Sequence, residues 1–243
     1  MRRWSVLLLT AVMMMVRCIA AAETWEWLEM PMPVDTLRLS GVKIGIDPGH
    51  QQRQNSEREA IAPGSSETKP KVSSGTAGVK TGVAEYQVNL DVSLQLRDAL
   101  EKLGCTVYMT RETNDVDISN QERAIMMNEY DVDLVLRIHC NGAEKSSANG
   151  IGLYVNATGD IAERSYAAAE AILPAMVEST GARSDGIFRR DTYTGLNWST
   201  VPCILVEMGY MSNPEEDVKL NDPDYQQKLV EGMVDGICSW LGL

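Results

Sequence analysis

Apolar positions along this chain recur at two periods, and the switches between them mark out alternating strands and helices. Val42 to Ile46 is a short apolar run that breaks at Asp47-Pro48-Gly49 and delivers His50, which predicts a first strand with a turn at its end. From Tyr86 to Leu103, Val88, Val92, Leu96, Ala99 and Leu103 recur at helical spacing, and Gly104 stops the helix. Cys105 to Thr110 predicts a second strand, and Ser119 with Glu122 a capping box for a helix through Asn128. Leu134 to Ile138 predicts a third strand that runs into His139, and Ile151 to Val155 a shorter one. Asp160 with Glu163 predicts the cap of a further helix, bent at Pro174 and ended by Gly181. Cys203 to Val206 predicts a buried strand ending in Glu207. Asn221-Asp222-Pro223 then opens a terminal helix with Leu229, Met233, Ile237 and Trp240 on its inner face. Strands thus alternate with helices long enough to be crossovers. The expected fold class is α/β: a single domain with a mostly parallel sheet and helices on both faces.

Three stretches stand outside this rhythm. Gln51 to Lys80, about thirty residues rich in Ser, Gly, Pro and Thr, reads as a long loop of the kind that is either functional or disordered. Between Val155 and Pro202 there is room for one helix and a loop, with little left for an extra helix that would block a site. Arg2 and Arg3, the apolar run Trp4 to Val16 and Ala20-Ala21-Ala22 predict a signal peptide over 1–22. That run is about 13 residues, short of the roughly 20 a spanning helix needs, so no stable membrane insertion is expected after cleavage. Residues 23–40, with Trp25 and Trp27, read as an N-terminal leader, and 41–243 as one folded domain.

Charge narrows the partners. The formal net charge is −12, and loss of the signal's three arginines takes it to −15. Such a chain has no electrostatic attraction to nucleic acid or anionic membranes. Past the signal, Cys105, Cys140, Cys203 and Cys238 allow three disulfide pairings; three of the four lie in apolar patterns, which fits free buried thiols equally well.

The candidate chemistry lies where strands end. His50 and His139 are the chain's two histidines, and Glu207 follows a third apolar strand. Ligands in open α/β sheets sit at the carboxyl ends of the strands, so these side chains can converge. Glu85, at the mouth of the first long helix, is a fourth candidate. Two imidazoles, a carboxylate and an open position make a catalytic zinc set, with a second carboxylate free to act as base. Taken singly, each residue also has a structural explanation: a turn histidine, a helix-dipole glutamate, a buried ion-pair partner.

The blocks IGIDPGH, TGVAEYQVNL, VLRIHCN and VPCILVEMGYMSNPEED, in this order, resemble the metal and catalytic blocks of the zinc-dependent N-acetylmuramoyl-L-alanine amidases of the amidase 3 family. The resemblance runs from about Val42 to Leu241. It implies a mixed sheet flanked by helices, Zn2+ on His50, Glu85 and His139, Glu207 as catalytic base, and a secreted hydrolase of cell-wall peptidoglycan, taken here as a monomer. Asn89, one helical turn after Glu85, is a candidate to steady the site. Asn141 and Arg137 are candidates for substrate binding, Arg137 alternatively as an ion-pair partner, while Arg111 and Arg123 are expected to stabilise the fold. A peptidase acting within the stem peptide would use the same metal and base, and a non-catalytic wall-binding protein the same fold. Gln51-Gln52 stands where many members have Gly-Gly, and the long segment after it is the main departure.

Overall fold

Side chains at alternate positions of the central strands sort the sheet into an apolar face and a polar one. The computed structural model describes residues 37–243. The signal peptide expected at 1–22 and residues 23–36 of the leader lie outside the described residues. In chain order the strands are β1 (Lys43–Pro48), β2 (Asn55–Ala60), β3 (Thr68–Val72), β4 (Thr106–Met109), β5 (Leu134–Asn141), β6 (Ile151–Asn156), β7 (Ser184–Arg190) and β8 (Cys203–Tyr210). The helices are α1 (Glu85–Lys102), α2 (Asn120–Tyr130), α3 (Asp160–Thr180), α4 (Thr194–Asn197), α5 (Pro214–Leu220) and α6 (Pro223–Leu241). Six strands form one sheet in the order β4-β1-β5-β8-β6-β7, while β2 and β3 pair separately. Every neighbouring pair in the large sheet is parallel except β6 with β8, so the sheet is mixed and mostly parallel, as expected.

On one face Ile44 and Ile46 of β1, Leu134, Leu136 and Ile138 of β5, and Ile204 and Val206 of β8 form a single buried cluster beneath α1, α3 and α6. Leu229, Met233 and Ile237 of α6 lie in this core, and Trp240 packs at its margin. The opposite face holds a smaller cluster, with Val135, Cys203 and Leu205 under Met127 of α2 and Leu196 of α4. Because the period is two, the remaining positions of that face fall to Asp47, Arg137, His139 and Glu207. No described helix is long and apolar enough to cross a membrane.

Four expectations need correction. The strands of His139 and Glu207 do not end there: β5 continues to Asn141 and β8 to Tyr210, so both residues sit inside paired strands. The 51–80 segment is not a structureless loop, since β2 and β3 make an antiparallel hairpin. It left no strand period because its side chains are mainly polar and few are buried, and because a residue it buries is a charged one, Glu59. The 156–201 stretch holds β7 and the one-turn α4 besides its helix; β7 is an edge strand with only Ile187 and Phe188 apolar. Asp160 is not a cap, because Gly159 occupies that position and no side-chain bond closes the helix start. The capping box of Ser119 and Glu122 is present, and all four described cysteines are free and buried.

The polar face begins with a fully buried charge. Asp47 Oδ1 accepts from Arg123 Nη1 at 2.8 Å and from Thr110 Oγ1 at 2.6 Å, and Oδ2 lies 2.9 Å from Arg137 Nη1. Burial alone would raise the Asp47 carboxyl, but the charges of Arg137 and Arg123 and these hydrogen bonds overcome it and hold it well below the usual carboxylate range. Its contribution is therefore full above the unfolded pKa of about 3.9 and is lost as pH falls through the lower folded value. Asp47→Ala leaves two buried guanidinium groups without their carboxylate, for an expected loss of about 3–5 kcal/mol. That corresponds to a fall in Tm of roughly 6–20 °C in thermal unfolding at neutral pH.

Candidate metal centre

Asp47 introduces a turn whose carbonyls are all claimed. Arg111 donates from Nε to Pro48 O and from Nη2 to Gly49 O, each at 2.9 Å. Arg123 donates to Pro48 O at 2.9 Å and to His50 O at 3.0 Å. Both arginines are buried, and burial with the neighbouring charge of Arg123 lowers Arg111 to about 10. Gln51, one of the departures from the Gly-Gly pattern, is also buried and accepts from Arg123 Nη2 at 3.0 Å.

The turn presents His50 at φ +61°, a left-handed conformation that a non-glycine residue adopts only when its surroundings impose it. Gly49 lies so close to the next strand that a Cβ there would sit 2.2 Å from the His139 ring. Its absence lets the two imidazoles meet edge to face, 4.8 Å between centroids. A Cβ at Gly75 would likewise come within 2.7 Å of Glu85 Oε2 and 2.9 Å of the His50 ring.

Glu85, the first residue of α1, closes the group. Its Oε1 lies 3.1 Å from His50 Nε2 and 3.1 Å from His139 Nδ1, and also accepts from the Cys140 amide and Asn89 Nδ2. Its Oε2 accepts from Thr76 N at 2.8 Å. Burial would raise this carboxyl, but the neighbouring His139 and His50 rings outweigh it and hold it well below the carboxylate range. Burial drives His139 down to about 4 despite its bond to Glu85, so the ring is neutral at pH 7.

One potential ligand atom from each of His50, Glu85 and His139 falls within 4.8 Å of the others, so the three could hold a metal ion. Two observations fit a cation there. His50 Nδ1 faces the Ser73 carbonyl at 2.9 Å and must carry the proton, which turns the lone pair of Nε2 toward Glu85 Oε1. Lone pairs 3.1 Å apart call for a proton or a cation between them. In addition, His139 Nε2 and Glu207 Oε2 are buried with no hydrogen-bond partner among the described residues.

Glu207 stands opposite His139 in the register of β8 against β5, about 5 Å away across the strands. Burial, reinforced by the charge of Glu85, pushes its carboxyl well above the ordinary value. All of these groups line one pocket of about 600 Å³. Asn141 lines it too, with its Oδ1 accepting from Gly142 N at 2.8 Å. Arg137 lines it while held by Asp47 and by Asn120 Oδ1 at 3.0 Å. Asn89 stays outside, fully buried between Gly49 O and Glu85.

Several lining residues escaped the sequence reading. Lys69 and Ser73 come from the hairpin segment, where no periodicity drew attention to single positions, and Tyr193 and Gly195 from the short α4 region. Asp47 does carry a signal in the sequence, an acid at the end of an apolar run.

The comparisons agree with one another. The N-acetylmuramoyl-L-alanine amidase family matches residues 44–239. The chain is 30% identical over 200 residues to N-acetylmuramoyl-L-alanine amidase LytC of Bacillus subtilis (strain 168), covering 82% of this chain and 36% of that one. It is 33% identical over 199 residues to "Probable cell wall amidase LytH" of Staphylococcus aureus, covering 82% of this chain and 58% of that one. The chain thus spans between about a third and three-fifths of the length of these relatives. Among solved structures, the N-acetylmuramyl-L-alanine amidase Ami1 of Mycobacterium smegmatis superposes with a TM-score of 0.77 at 26% identity, over 84% of this chain and 98% of that one. The N-acetylmuramoyl-L-alanine amidase of Clostridium difficile 630 does so with a TM-score of 0.70 at 26% identity, over 83% and 97%. With the fold, the four sequence blocks and the family match coinciding over the same residues, this chain belongs to the N-acetylmuramoyl-L-alanine amidase family.

Proposed function

We propose that this chain is a zinc-dependent N-acetylmuramoyl-L-alanine amidase, hydrolysing the amide bond between the lactyl group of N-acetylmuramic acid and L-alanine of the peptidoglycan stem peptide. The observation that carries this reading is the convergence of His50, Glu85 and His139 on one point, with Glu207 unpaired beside them. Those three residues would hold the zinc, since neutral imidazoles and an ionised carboxylate are the states that coordination requires. When bound, zinc supplies Lewis acidity, polarising the amide carbonyl and bringing the pKa of water toward about 7.

Glu207 is the base in this reading. Its buried carboxylate takes a proton from the attacking water and returns it to the departing nitrogen of L-alanine, a transfer favoured by a pKa raised above the ordinary carboxylate value. Asn89 is proposed to fix Glu85, while Asn141 and Arg137 contact substrate from the pocket wall. The proposed organisation is a signal peptide at 1–22, a leader at 23–40 and a catalytic domain at 41–243, in a secreted monomer acting on the wall without an activator.

Mass spectrometry of purified peptidoglycan digested by the protein alone is expected to give intact glycan and free peptides beginning with L-alanine. Cuts within the stem, or new reducing sugar ends, would sink the reading. Glu207→Gln is expected to keep stoichiometric zinc by metal analysis while lowering kcat by about 10²–10⁴-fold. Asn89→Ala is expected to weaken zinc binding about 10–100-fold in a competitive chelator titration, with secondary structure intact by circular dichroism.

A further inference from the structure

Beyond the residues that hydrolysis uses, the same pocket continues to Lys69, Asn120, Arg137 and Tyr193. Arg137 precedes His139 by two residues on β5, so both leave the same face, about 7 Å apart along the strand. Its guanidinium lies 2.9 Å from Asp47, but the same carboxylate also binds Arg123 at 2.8 Å. The Asp47 carboxylate therefore serves two guanidinium groups, and Arg137 also lines the pocket. Gly195 of α4 packs directly on this guanidinium, since a Cβ there would lie 2.1 Å from Arg137 Cζ.

Lys69 reaches the same wall from β3. Its Nζ donates to Thr192 O at 3.0 Å and sits 5.9 Å from the centroid of the Tyr193 ring. Glu59 is its cross-strand partner in the hairpin, yet Glu59 is buried and accepts from the Gln121 amide at 3.1 Å. Lys69 makes no ion pair among the described residues and keeps donors to spare. Burial, and then the positive charge of Arg137, lower its pKa against the opposing charges of Glu59 and Glu67. Two like charges crowded on one half-buried wall, in a chain of net charge −12, are a place prepared for an anion.

A stem peptide seated for cleavage offers one at the matching distance. Five bonds separate the scissile nitrogen from the α-carboxyl carbon of the second residue, a span of roughly 6 Å when extended. That residue, a glutamate, continues the stem through its γ-carboxyl, so its α-carboxyl is a side branch that is either free or amidated. Resting on the amidase reading above, we infer that Lys69 and Arg137 form a carboxylate-binding subsite that selects stem peptides whose second residue carries a free α-carboxylate. A carboxylate accepts charge-assisted hydrogen bonds from both, whereas a carboxamide turns N–H donors toward two cations.

The test uses two soluble muramyl-peptides identical except at that carboxyl, free or amidated, with the zinc-loaded full chain. The expected kcat/KM is at least about tenfold higher for the free acid. Lys69→Gln is expected to narrow the ratio to within about twofold, the loss falling on the free-acid peptide, while Lys69→Arg retains the preference. Equal kcat/KM for the two peptides in the unmodified protein, or a preference that survives Lys69→Gln, overturns the inference. If neither peptide is cut between the lactyl group and L-alanine, the amidase reading itself fails and takes this inference with it.

Discussion

Two buried guanidinium groups hold the turn that carries His50, and the geometry of the candidate metal centre depends on them. Pro48, Gly49 and His50 turn their carbonyls into the protein, where Arg111 and Arg123 between them satisfy all three. Left unpaired in that interior, these carbonyls would each cost on the order of 1–3 kcal/mol. The turn would then relax away from φ +61° at His50 and from the contact of Gly49 with the His139 ring. Arginine suits the task because its planar fork offers five fixed donors and stays charged when buried. Asp47 balances part of that charge and fixes Arg137 as well, so the chemistry of the pocket and the stability of the sheet share one ionic cluster.

A second constraint is the two-residue period of β1, β5 and β8. It sends Ile44, Ile46, Leu136, Ile138, Ile204 and Val206 to the face under the three long helices. The same period sends Asp47, Arg137, His139 and Glu207 to the other face. Among the described residues that face is covered by α2, α4 and the β2–β3 hairpin, with the pocket between them. The hairpin is tied down by polar contacts, Trp198 Nε1 to Ala60 O at 2.9 Å and Asn120 Nδ2 to Lys71 O at 2.7 Å. It carries Ser73 to His50 and Lys69 to the pocket wall.

Much of this was legible in the sequence, and the boundary has physical reasons. The central strands and long helices were readable because each buries a regular apolar set, as with Val88, Val92 and Leu96 on α1. The convergence of His50, His139 and Glu207 followed from their positions at or near the ends of parallel strands. The hairpin was not readable, because its order comes from hydrogen bonds made by exposed polar side chains and from a buried Glu59 in place of an apolar residue. β7 was hidden for a related reason: an edge strand with few buried side chains has no alternation to detect. Arg123 lies in the capped helix that the pattern predicts, but nothing in its spacing tells that it spans Asp47, Pro48 and His50.

We propose that the polar face of this sheet presents one preformed metal site, with Glu207 alongside as the base. Anomalous diffraction at the zinc edge from crystals of the zinc-loaded protein tests it most directly. A single ion is expected about 2.0–2.2 Å from one nitrogen each of His50 and His139 and from Glu85, with Glu207 outside the coordination shell. An ion bound elsewhere, or one that takes Glu207 as a ligand in place of Glu85, would contradict it.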